Sequence, residues 1–82
     1  MVIYEAGMLA RSKAGHDKAQ MYIIKEVDDT YVYLVDGRIR TLGHPKKKEK
    51  KHVQIVHGIY NMKELDDAGI RKLIKDWMKE EK

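Results

Sequence analysis

The run Thr30-Tyr31-Val32-Tyr33-Leu34-Val35, followed at once by Asp36-Gly37, constrains the fold of this chain more than any other stretch. The run is built almost entirely of residues that suit a pleated, half-buried surface. An Asp-Gly pair favours the positive φ angles of a two-residue hairpin turn. With Arg38-Ile39-Arg40-Thr41-Leu42 behind it, the pattern predicts two strands folded back on each other. Three more strands are expected around this pair. Residues 7–12 read as a short strand, residues 20–27 as an apolar and partly β-branched one, and residues 53–57 as the last before Gly58. Asp28-Asp29 marks the tight turn between the second and third strands.

Five short strands with turns at close spacing point to a mainly β protein whose sheet closes into a small barrel and so avoids open edges. An open meander with a helix laid across it is the alternative. The period changes near Asn61. Ile70, Leu73, Ile74, Trp77 and Met78 fall at i, i+3, i+4, i+7 and i+8, one apolar stripe on a helix expected over residues 66–80. Asp66 or Asp67 can cap its first turn, while Gly69 costs it about 1 kcal/mol relative to alanine. The division expected is therefore a barrel over residues 1–60 and a helical extension over residues 61–82. The stripe either covers one side of the barrel or docks on another protein or a second copy.

With 82 residues the chain is one domain at most, with a small core and no room for a deep catalytic cleft. It holds no cysteine, which excludes disulfides, thiolate metal sites and thiol nucleophiles and suits a reducing cytoplasm. Residues 1–10 lack the basic start of a signal peptide, and Glu5 interrupts their apolar character. No apolar run approaches the roughly 20 residues of a membrane helix. A soluble, cytoplasmic protein without a membrane partner is expected.

Net charge is only +4, but its placement is uneven. Between Arg38 and His52 there are seven basic residues and one acidic, Glu49; elsewhere ten basic face twelve acidic. A basic patch on an otherwise acidic body is the footprint of a polyanion partner, although charge runs also occur as plain solvated loops. From Lys63 to Lys82 six basic residues meet six acidic ones, so the helix is not expected to bind a polyanion.

The stretch Gly7-Met8-Leu9-Ala10-Arg11-Ser12-Lys13-Ala14-Gly15-His16-Asp17-Lys18, with the apolar strand from Met21 to Val27, resembles the KOW motif: strand, glycine loop, strand. The likeness continues through Val35-Asp36-Gly37-Arg38, Arg40 and Pro45-Lys46-Lys47-Lys48 to Lys51-His52, covering roughly residues 4–58. That larger pattern is similar to the KOW-domain ribosomal proteins of the archaeal and eukaryotic large subunit and to their short bacterial relatives. The resemblance implies a five-stranded SH3-like barrel that binds ribosomal RNA and works with the ribosome or the translation machinery. His16 stands where the family often carries arginine, so the first loop offers less fixed charge near neutral pH. The helical tail after Met62 lies outside the resemblance.

The residues themselves support the same sites. Gly15 would let backbone N–H groups approach a phosphate closely, or it is a plain turn glycine. Lys13, His16 and Lys18 flank it. Arg38 and Arg40, two apart on the expected strand, would share one face and bind phosphates or stack on bases. Lys46, Lys47, Lys48, Lys50 and Lys51 read as a mobile loop that orders on binding, their point charges suited to backbone contacts rather than sequence readout. Tyr31 and Tyr33 share a face and are expected to fill packing positions, with base stacking as the alternative if that face is outward.

Metal and catalytic sites are not expected. His16, His44, His52 and His57 form no ligand pair at helical or knuckle spacing, and Ser12, the only serine, has no activating base nearby. The sequence therefore predicts an RNA-binding protein without cofactor or catalysis. The alternative is a protein-interaction module, like the KOW-type domains of transcription elongation factors, docking through Ile70, Leu73, Ile74, Trp77 and Met78.

Overall fold

The computed structural model describes residues 3–13 and 20–80. Its order of elements is β1 (Met8–Ser12), β2 (Met21–Val27), β3 (Tyr31–Val35), β4 (Lys46–Glu49), β5 (Val53–Ile59) and α1 (Asp67–Glu80). Short 3-10 turns at Lys50–His52 and Met62–Glu64 join β4 to β5 and β5 to α1. All strands pair antiparallel in one sheet of order β4-β3-β2-β1-β5.

That order forces the sheet to coil. β4 and β5 are its opposite edges, about 19 Å apart in a flat sheet at ordinary strand spacing. The chain from Glu49 to Val53 spans at most about 14 Å. The edges must therefore curl toward each other into a half-barrel: the strand count suggested a small barrel, and the SH3-like form is the one that the resemblance implied. Two register shifts, between Met8 and Leu9 and between Ile24 and Glu26, mark bulges that help bend the strands.

Both faces of β1 and β2 are buried, which explains their nearly continuous apolar character. Ala10, Tyr22, Ile24, Val32, Leu34 and Val53 form the cluster inside the curl. Leu9, Met21, Ile23 and Val35 point to the other face, where Ile70 and Ile74 of α1 cover them. Leu73 and Trp77 pack at the margin of this second cluster, and Met78 is largely exposed. Most of the helical stripe is thus used within the chain: Ile70 is fully covered, and Ile74 keeps only a small exposed margin.

Asp66 caps α1 by accepting a hydrogen bond from Gly69 N at 2.7 Å. Asp67 does something else: its carboxylate accepts from Leu42 N at 2.8 Å and pins the preceding loop to the helix. Gly7 sits at a second junction. Its N donates to Ile24 O and its O accepts from Tyr60 N, both at 2.8 Å. With φ at +95° and Tyr60 O 2.1 Å from where a Cβ would stand, this position admits only glycine.

The fourth strand lies elsewhere than expected. Arg38–Leu42 is a loop, and Asp36-Gly37 is not a two-residue hairpin. The Asp36 carboxylate accepts from both Arg38 N and Arg40 N at 2.9 Å, while Asp36 N and Gly37 N donate to Arg40 O. These local bonds compete successfully with a strand ladder. The helix adds to them, since Arg71 donates to Gly37 O. The free edge of β3 is instead taken by the lysine run, which is therefore β4 and not a mobile loop. Lysine is a poor strand former, but at a sheet edge its charge keeps other chains from pairing there.

Candidate nucleic-acid interface

β4 divides the lysine run between two sides of the sheet. Lys47 and Glu49 stand opposite Tyr33 and Tyr31, and Lys46 and Lys48 stand opposite Leu34 and Val32. Side chains of antiparallel partners share a face. Lys47 therefore lies with the two tyrosines on the outward side, where its Nζ is 4.2 Å from the Tyr31 ring centre. Lys46 and Lys48 are half-buried at the rim above Leu34 and Val32. Lys46, Lys47 and Lys48 are thus set in distinct directions by the ladder rather than presented as equivalent charges.

The basic line continues past the strand. Lys50 N donates to Thr30 O, so the 3-10 turn is anchored to the start of β3. Lys50 Nζ donates to Asp29 O at 3.1 Å and lies 5.6 Å from the Tyr4 ring centre. Tyr4 OH in turn donates to Lys50 O. Lys51 meets Glu49 at 3.6 Å, an exposed pair worth about 0–1 kcal/mol that a phosphate can readily displace. Lys13 N donates to His52 O at 2.8 Å, which brings the end of β1 beside this turn. Lys13, Lys50 and Lys51 thus gather at one end of β4.

Arg38 and Arg40 lie at the other end, in the loop after β3. They do not share a strand face: the backbone of Arg40 is tied to Asp36, and Arg38 is exposed beside α1. Gly15, His16 and Lys18 fall outside the described residues.

Tyr31 and Tyr33 are half-buried and belong to neither core cluster, so they do not fill packing positions inside the barrel. Tyr33 OH donates to Asp28 Oδ2 at 2.9 Å. The other Asp28 oxygen accepts from Tyr31 N at 2.6 Å and Thr30 N at 2.9 Å, so a single carboxylate ties the β2–β3 turn. The bond from Tyr31 N, with those from Thr30 and Tyr33 and the nearby Lys47 charge, holds the Asp28 carboxyl below the usual carboxylate range. The same carboxylate raises Tyr33 above the ordinary phenol value.

A lowered Asp28 favours the folded state above the pKa of the unfolded chain. That contribution disappears as pH falls through the lower, folded value. Asp28→Asn is expected to be less stable than the parent at neutral pH and to lose less stability on acidification. Urea midpoints measured from neutral to strongly acidic pH check this; parallel curves for the two proteins would contradict it.

Sequence reasoning placed the turn at Asp28-Asp29 but missed the bonds of the Asp28 carboxylate, the contact of Tyr4 and the Tyr31–Lys47 pair. A signal for Asp28 was present, since Asp at the start of a tight turn commonly accepts from the next backbone N–H groups. No signal placed Tyr4 against Lys50, because they meet only through the curl of the sheet. Among the described residues, no helix is long and apolar enough to cross a membrane. In comparisons with known proteins, no family model and no curated protein matches this chain.

Proposed function

We propose that this protein binds structured RNA, ribosomal RNA foremost, through the edge formed by β4, the Lys50–His52 turn and the end of β1. The observation that carries this reading is an ordered edge strand whose Lys47 lies over Tyr31 on an outward face, continued by Lys50, Lys51 and Lys13. Because the backbone that carries the lysines is already a strand and a turn, binding loses less conformational entropy than ordering a free loop would cost. Lysine supplies backbone attraction without base readout, so recognition rests on the shape of a folded RNA. The resemblance of residues 4–58 to KOW-domain ribosomal proteins supports the choice of ribosomal RNA and a cytoplasmic place of work. In this reading the protein is a binding module and performs no catalysis.

The test is sedimentation with ribosomal particles from the protein's own cells at low and high salt. Co-migration at low salt that is lost at high salt is expected. A protein that stays at the top of the gradient at every salt would remove the ribosome as partner.

A further inference from the structure

Beside α1, away from the β4 edge, lies an open groove of about 550 Å³. Its apolar surface is aliphatic: Ile39, Ile74 and Met78. Ile39, at the tip of the Asp36–Arg40 loop, is 82% exposed, and Met78 is 47% exposed. Two large apolar side chains left in water on facing elements contribute little to this fold. The rim is cationic. Arg71, Lys75 and Lys79 follow at i, i+4 and i+8 along one edge of α1, and Arg38 stands across from them. Like charges at that spacing oppose helix formation.

The even balance of charge in the C-terminal segment conceals this edge, since net charge takes no account of which face a residue occupies. Asp36 is the acidic residue lining the groove, and its Oδ1 already accepts from the backbone of Arg38 and Arg40. Arg71 donates from one nitrogen to Gly37 O, which fixes its guanidinium at the rim while leaving further donors.

From this we infer that the groove is a second binding site, distinct from the RNA edge, for an acidic peptide segment of a partner protein with aliphatic anchor residues. Charge complementarity selects the acid, and the aliphatic floor selects the anchors. From Arg71 to Lys79 the rim runs about 12 Å, the length of two helical turns. A partner helix with aliphatic residues at i, i+3 or i+4 and i+7 would cover Ile39 and Met78 while its carboxylates meet Lys75 and Lys79. A nucleobase fits less well, because it docks by stacking on rings or by dense hydrogen bonding, and the floor is aliphatic.

The experiment selects a displayed library of random peptides against the intact chain. It then measures the enriched peptides by fluorescence anisotropy, with a structured RNA titrated in parallel. Acidic sequences with aliphatic residues at helical spacing are expected. Their affinity is expected to fall by about tenfold or more in Ile39→Ser/Met78→Ser and in Lys75→Glu/Lys79→Glu. Both pairs lie on the surface, and circular dichroism confirms that each variant stays folded. RNA binding by Ile39→Ser/Met78→Ser is expected to match the parent. No enrichment, or peptides that bind the Ile39→Ser/Met78→Ser variant as well as the parent, would overturn the site. If that variant loses RNA affinity instead, the groove belongs to the RNA surface and the inference fails. Loss of RNA binding by the parent itself bears on the proposed function alone.

Discussion

Replacing Lys46, Lys47, Lys48, Lys50 and Lys51 by glutamine is expected to weaken binding of structured RNA by two orders of magnitude or more at near-physiological salt. The magnitude follows from counterion release. Each lost phosphate contact removes about 0.7–0.9 from the log–log slope of affinity against salt. About six contacts in the parent would give a slope near −4 to −5, and the variant should retain a slope of roughly −1. Filter binding over a series of salt concentrations measures both quantities. An unchanged slope would remove this edge from the interface even if affinity fell. The ladder refines the expectation. Lys47 and Lys50, which lie over tyrosine rings, should each matter more than Lys51, which is largely exposed and pairs with Glu49.

The second large effect is on stability. Ile70→Ala is expected to cost about 3 kcal/mol, within the usual range of 2–5 for a buried aliphatic residue. Ile70 is 0% exposed and packs between α1 and the Leu9–Ile23–Val35 face of the sheet. A domain of this length holds on the order of 4–12 kcal/mol in all, so a large part of its margin would go. Urea unfolding followed by Trp77 fluorescence reads the change. A loss under about 1 kcal/mol would mean that the helix does not cover that face in solution. Met78→Ala, on the exposed end of the same stripe, should change stability far less.

The contrast between these two positions shows what periodicity can and cannot tell. The spacing of Ile70, Leu73, Ile74, Trp77 and Met78 located a helix within one residue of its observed start. It could not divide the stripe into buried and exposed ends, because that depends on where the sheet stops. β1, β2 and β3 were legible as short apolar runs, partly β-branched, bounded by turn signals. Asp36-Gly37 misled because the short-range signal for a hairpin is also a signal for a carboxylate that closes a loop on its own backbone. The partners that decide between them, Asp67 and Arg71, lie some thirty residues away.

The lysine run shows the complementary failure. Its composition argues for an unstructured loop, and only the open edge of β3 turns it into a strand. Its charge was legible, and so was its separation from the acidic remainder. Its division between two faces was not, nor was the arrival of Lys13 at the far end of the same edge. The basic edge of α1 was hidden by summing charges along a segment instead of around a helix.

The pairing of β1 with β5 sets Leu9 opposite Val56, so β1 leaves the ribosome before the strand it must pair with. Until then Leu9 and Ile23 have no helix over them, because Ile70 and Ile74 are made later still. A growing chain that has not yet made α1 leaves this apolar face uncovered. Its β1–β2 hairpin, apolar on both faces, needs shelter or speed. The sheet is therefore expected to close only once β5 and α1 have both left the tunnel.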